Sequence, residues 1–203
     1  MVEWFRTPFR RQNRGVTSRL RRLRSGIVLA IGALLLGRVV GAQAPTEYKV
    51  KAAFLYNFAK FVEWPPVAPT VPADELRLCV LGEDPFGDDL DALAEGKTVQ
   101  NKWLKVARLS TLEEVERCQV VFINVGDIDD LSYVLRRSHE AHALTVGESH
   151  EFVSQGGIIS FVMEGNKVRF EINTASAERA GLRISSQLLK LAARVVNDPV
   201  ASE

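Results

Sequence analysis

Apolar positions change their period three times along this chain. From Gly26 to Gly37 they form an unbroken run, GIVLAIGALLLG. From Glu47 they recur at helical spacing. Phe54, Leu55, Phe58, Phe61 and Val62 make one face of a helix expected over residues 47–63, with Tyr56, Lys60 and Glu63 on the other side. Thr46 can cap this helix, Glu47 suits the positive end of its dipole, and Pro65-Pro66 stops it. Trp64 at its end reads either as a capping contact or as an exposed anchor for a partner. The proline-, valine- and alanine-rich stretch to about Asp74 reads as a surface connection.

Short strands then alternate with helices. Leu76–Leu81, Leu104–Leu109, Gln119–Val125 and Ala143–Val146 are the expected strands, and QVVFINV is the kind of continuous apolar run that a buried parallel strand carries. Helices are expected from Pro85 to about Leu93, with Asp84 as N-cap and Gly96 as terminator, then over Thr111–Arg117 with Ser110 as cap, Asp129–Ser138 and His150–Ser154. Near the end the rhythm changes. Gly157–Met163 and Lys167–Ile172 flank Glu164-Gly165-Asn166, which predicts an antiparallel hairpin. A short helix over Ala175–Ala180 and a final amphipathic helix over Ser185–Val196 follow, the latter turning Leu188, Leu189, Ala192 and Val195 inward. The predicted fold is an α/β sandwich in one domain, with a mostly parallel sheet, helices on both faces, and a C-terminal hairpin plus helix. Its core spans about residues 76–196.

The first 42 residues stand apart. Nine arginines and a single acid, Glu3, surround the apolar run, and small residues at Val40-Gly41-Ala42 follow it. This is the pattern of a cleaved signal peptide, residues 1–42, with cleavage after Ala42 and a domain over 43–203. The alternative is an uncleaved membrane helix, but the run falls short of the roughly 20 apolar residues a bilayer needs.

Export changes the charge reading. Taking nine basic and one acidic residue from 26 and 25 leaves 17 and 24, a net charge of −7 in place of +1. An acidic protein lacks the concentrated positive charge that nucleic acid requires. Both cysteines, Cys79 and Cys118, lie in the exported part. An even count there predicts a disulfide, and a loop of that length gives about 4 kcal/mol in the chain-entropy model. Two buried free thiols are the alternative.

Chemical motifs are scarce. Gly82-Glu83-Asp84-Pro85-Phe86-Gly87 lacks the ending of a phosphate loop, and its acids would repel phosphate. His139 and His142 share a helical spacing, but no third metal ligand accompanies them, so they read as solvated surface residues. Ser149-His150-Glu151 places triad residue types side by side, whereas a triad is assembled in space. Asp127, Asp129 and Asp130 lack the glycine and distal glutamate of a calcium loop. Arg169 and Glu171 alternate with Phe170 and Ile172, so they face solvent or, with Asn173, form a recognition edge. No cofactor and no catalytic set is indicated.

Several blocks, taken in order, resemble the YfiR family of periplasmic proteins: YKVKAAFLYNFAKFVEWP, LRLCVLGEDPFG, the pair Cys79 and Cys118, LTVGES with Phe152, GGIISF, and VRFEINTASAERAGLRISSQLLKLA. The resemblance spans about Tyr48 to Val196. It implies a non-enzymatic repressor that acts on the periplasmic sensor domain of an inner-membrane diguanylate cyclase of the YfiN type, lowering cyclic di-GMP and biofilm formation. It also implies sequestration by an outer-membrane lipoprotein of the YfiB type, a homodimer, and a central disulfide at Cys79 and Cys118. A second cysteine pair found in some members has no counterpart. The alternative reading is a periplasmic small-molecule-binding module that reports to a sensor kinase or transport system, with its pocket at the carboxyl edge of the sheet.

Overall fold

A computed structural model describes residues 47–66, 72–124 and 131–197. The expected leader and its expected cleavage site at Ala42, the expected Thr46 cap, part of the proline-rich connection and Asp127, Asp129 and Asp130 lie outside the described residues.

Helix α1 (Glu47–Phe61) comes first, two residues shorter than its periodicity predicts. Val62–Glu63 leaves the helix to form β1, pairing antiparallel with β9 (Arg183–Ile184), and the Ser185 N–H donates to the Phe61 carbonyl. The buried face of α1 is Lys51, Ala52, Leu55, Phe58 and Ala59. Phe54 and Phe61 are half-buried at its margin.

The main sheet has eight strands: β2 (Glu75–Gly82), β3 (Thr98–Val99), β4 (Lys102–Leu109), β5 (Val120–Asn124), β6 (Leu144–Gly147), β7 (Ile159–Glu164), β8 (Lys167–Asn173) and β10 (Arg194–Val196). Their order is β10-β8-β7-β6-β5-β2-β4-β3. The stretch β4-β2-β5-β6-β7 is parallel throughout. Chain order reverses at β2, which has β4 on one side and β5 on the other. That is a topological switch point.

Strand alternation sends side chains to two cores. Leu76, Leu78 and Val80 of β2, with Val120 and Phe122 of β5, pack under α1 and helix α2 (Asp88–Ala94). Cys79, Val121 and Ile123 face the other way. They meet Val115 of a 3₁₀ helix (Leu112–Arg117), Val134 and Leu135 of α3 (Leu131–Glu140), and Phe152 of α4 (His150–Ser154). Phe54 and Phe58 of α1 lie against Phe161 and Phe170 of the β7–β8 hairpin, ring centroids 5.0–6.1 Å apart. Such aromatic contacts add to the burial of area alone.

Four local expectations are corrected. The Asp84 carboxylate does not cap α2; it accepts the Phe86 N–H at 2.8 Å, and the helix starts only at Asp88. Phe86 is buried against Phe122 and Tyr48, which holds the turn inward until Gly87, at φ 51°, releases it. The 3₁₀ helix is capped at Thr111, not Ser110, because the Glu114 carboxylate accepts both of their N–H groups. The β3–β4 hairpin carries no glycine signal in the sequence, since its turn is Gln100-Asn101, both at positive φ. The final helix, α6 (Ser186–Leu191), is shorter than expected. Arg194–Val196 becomes β10 and pairs parallel with β8, so Val195 is exposed. The open edge of β8 pairs with this segment, and β-branched Val195 and Val196 favour strand over helix.

Candidate interaction face

Three features of the structure bear on what this domain can do. The first is the disulfide. Cys79 lies in the middle of β2, and Cys118 enters β5 directly after the 3₁₀ helix. They are bonded, with Cα atoms 6.0 Å apart, and close to fully buried at 0% and 2% exposure. The bridge ties the central strand to the segment that carries its neighbour. Beside it, the Trp64 indole N–H donates to the Gln119 carbonyl at 3.2 Å, and the Gln119 side-chain oxygen accepts the Arg77 N–H at 2.7 Å. Trp64 is half-buried and anchors the end of α1 to the start of β5.

The second feature is a buried lysine. Lys51 on α1 is 4% exposed, with its ammonium 2.5 Å from Glu47 and 2.9 Å from Glu148 after β6. It also lies 4.7 Å from the centre of the Tyr48 ring. Burial alone would push Lys51 down, but hydrogen bonds to Glu47 and Glu148 carry its pKa above the usual lysine value. Tyr48 moves up as well, from burial first and then from the Glu148 charge. This cluster fastens the first half of α1 across the carboxyl end of β6. At the switch point, the Glu83 N–H donates to the Asn124 carbonyl and the Asn124 amide donates to the Glu83 carbonyl. The ends of β2 and β5 are thus joined to each other.

The third feature is a cleft of about 600 Å³ between α1 and the tip of the β7–β8 hairpin. Val50, Phe54, Met163 and Val168 supply apolar surface, while Glu47, Asn166, Lys167 and Arg169 supply polar groups. Met163 is 45% exposed.

The residues expected to form a recognition edge separate. Arg169 is on the cleft, its guanidinium 3.9 Å from Glu164. Glu171 is buried rather than solvent-facing, because β10 lies beside it and supplies Arg194 at 2.6 Å. Asn173 is fully buried; it caps helix α5 (Thr174–Arg179) by accepting the Ser176 N–H, and it donates to the Val153 carbonyl. Two histidines also differ from expectation. His142 bonds the Ala180 carbonyl through Nδ1 at 2.8 Å. His139 is half-buried, and its Nε2 is enclosed with no hydrogen-bond partner among the described residues; burial, aided by the Arg179 charge, lowers its pKa to about 4. The His150 side chain lies outside the described residues. Among the described residues no cluster of His, Cys, Asp or Glu could hold a metal, and no helix is long and apolar enough to cross a membrane.

The fold and these features define a disulfide-bonded α/β domain whose polar clusters fasten its elements together. A family profile described as YfiR/HmsC-like matches residues 48–193. The chain belongs to that family. The family is periplasmic and regulatory, non-enzymatic, associated with cyclic di-GMP signalling and with membrane-associated signalling partners.

Among solved structures, a conserved domain protein from Vibrio cholerae aligns with 13% identity over 73% of this chain and 60% of its own, at a TM-score of 0.46. The ABC domain in complex with L-Trp from Streptococcus pneumonia aligns with 11% identity over 60% of this chain and 55% of its own, at 0.43. The chain thus spans little more than half the length of either, and likeness at this level carries nothing about function.

Proposed function

We propose that this chain is an exported repressor that binds the periplasmic sensor domain of an inner-membrane diguanylate cyclase of the YfiN type and holds the cyclase inactive. Residues 1–42 would be removed as a signal peptide after Ala42, leaving the domain of residues 43–203 in the periplasm. Bound repressor shifts the sensor domain toward its inactive state, which lowers cyclic di-GMP and biofilm formation. An outer-membrane lipoprotein of the YfiB type would relieve the repression by sequestering the chain, which would act as a homodimer. Of the surface positions expected from the sequence, Trp64 and Arg169 are half-buried and keep accessible area for a partner.

The observation that carries this reading is the family match over residues 48–193, nearly the whole of the expected mature domain. A buried disulfide accords with an oxidising compartment. The test is deletion of the gene with measurement of cyclic di-GMP and surface attachment. Both should rise, and both should return to baseline when the chain is restored with its leader. If deletion leaves them unchanged, the repressor reading is lost.

A further inference from the structure

The hairpin register exposes a backbone edge. Phe161 pairs with Phe170, Val162 with Arg169, Met163 with Val168 and Glu164 with Lys167. The Phe170 carbonyl accepts the Ala193 N–H, so Phe170 directs its backbone away from β7. Val168, two residues earlier on the same strand, directs its N–H and C=O the same way. Strand β10 pairs only with Glu171, Ile172 and Asn173. Beside Val168, among the described residues, no strand continues the sheet.

This open edge coincides with the cleft. Val50 and Phe54 face it from α1, Met163 and Val168 from the hairpin, and Lys167 and Arg169 stand on its rim. The hairpin side of the rim carries two cations, Lys167 and Arg169. Lys167 is exposed and makes no ion pair among the described residues, while Arg169 has only Glu164, at 3.9 Å. Glu47, the carboxylate on the opposite wall, is already held by Lys51. An exposed edge beside an apolar floor is the arrangement that accepts an added strand, with main-chain bonds giving affinity and alternate side chains giving specificity.

We propose that the cleft receives an extended segment of the regulated protein partner, which adds as a short strand beside Val168. An apolar side chain of that segment sits on Val50, Phe54 and Met163, and acidic side chains beside it meet Lys167 and Arg169. Charge complementarity selects this occupant. The proposal rests on the reading of the chain as a regulatory binding protein and names the surface that reading leaves unlocated.

The test uses the purified mature chain and a synthetic ten-residue peptide of alternating aspartate and valine or phenylalanine. Its lysine-for-aspartate counterpart is the control. Fluorescence anisotropy should show the acidic peptide binding, more weakly as salt rises, and hydrogen exchange at the Val168 amide should slow. Two variants separate backbone from charge. Val168→Pro removes the outward N–H without touching the bonds to β7, and the double variant Lys167→Glu, Arg169→Glu reverses the rim. Each should weaken binding about tenfold or more, roughly 1.4 kcal/mol, with the thermal transition of the double variant retained. No binding of the acidic peptide, equal binding of the lysine peptide, or unchanged affinity in the double variant would overturn the proposal. So would a dimer of the wild-type chain that Val168→Pro dissociates, since the occupant would then be a second copy. These outcomes are read on the isolated chain. Unchanged cyclic di-GMP on deletion would instead remove the cyclase reading while leaving peptide binding intact.

Discussion

Glu171 and Arg194 stand directly opposite each other in the register of β8 and β10, and their side chains pair at 2.6 Å. The carboxylate is buried and the guanidinium half exposed, with side-chain exposures of 6% and 51%. This pair holds the last strand against the sheet. Arg194→Met should therefore destabilise the fold by about 2 kcal/mol, below the 3–5 typical of a fully buried pair because solvent screens the arginine. Urea unfolding of wild type and variant measures the difference. Equal midpoints and slopes would show that the strand is held by its backbone bonds alone.

Lys51 joins α1 to the segment after β6 through Glu47 and Glu148. Its folded pKa lies above the unfolded value, so its contribution is complete below the unfolded pKa. It is lost as pH rises through the folded one. Lys51→Met should cost about 2–3 kcal/mol at pH 8, since it leaves two carboxylates together in a partly desolvated site. The gap between wild type and variant should begin to shrink above about pH 10.5, the value of the unfolded chain, and narrow further as pH rises through the higher folded value. Thermal melts at pH 8 and pH 11 check both parts.

His139 gives the opposite dependence. Its folded pKa of about 4 lies below the ordinary 6.5, so the unfolded chain binds the proton more readily. Stability falls as pH drops from about 6.5 toward 4, by an amount approaching 3 kcal/mol when the whole window is crossed. His139→Leu should flatten this limb of the pH profile. Denaturant midpoints at pH 7, 5.5 and 4.5 supply the measurement, and parallel profiles for the two proteins would refute the assignment.

Removing the bridge by Cys79→Ala and Cys118→Ala together should cost up to about 4 kcal/mol for a loop with a separation of 39 residues. Both sulfurs are shielded, so reductant with an alkylating reagent should label native protein slowly and urea-unfolded protein fast. Mass spectrometry counts the labels. Rapid labelling of the native form would mean that the segment around Cys118 opens freely.

Much of this fold is legible in the chain, and the failures have physical causes. The parallel strands announce themselves because Val120–Ile123 and most of LRLCVL are buried on both faces. Gly165-Asn166 marks its hairpin because glycine at φ 59° suits a tight turn. Gln100-Asn101 hides its own, since positive φ at both positions is imposed by the surroundings, including a bond from the Gln100 amide to the Val62 carbonyl. The C-terminal strand was illegible for a related reason. LLKLAARVV keeps a helical spacing, and only the vacant edge of β8 turns its end into β structure. That one miss also misplaced Glu171, which faces solvent only if no strand lies beside it. Asn173 was legible as polar but not as buried, because its two roles are to cap α5 and to hold the Val153 carbonyl.

The position of the bridge also says when it must form. Cys118 closes over Cys79 beneath the 3₁₀ helix, with Val115 and Val121 packed around it. Once that layer is packed, an oxidant has no path to the sulfurs. Oxidation therefore has to accompany assembly, and a copy that folded before meeting an oxidising environment would seal its thiols inside. The bond then serves as a record of where the chain folded, carried unchanged for as long as the domain stays closed.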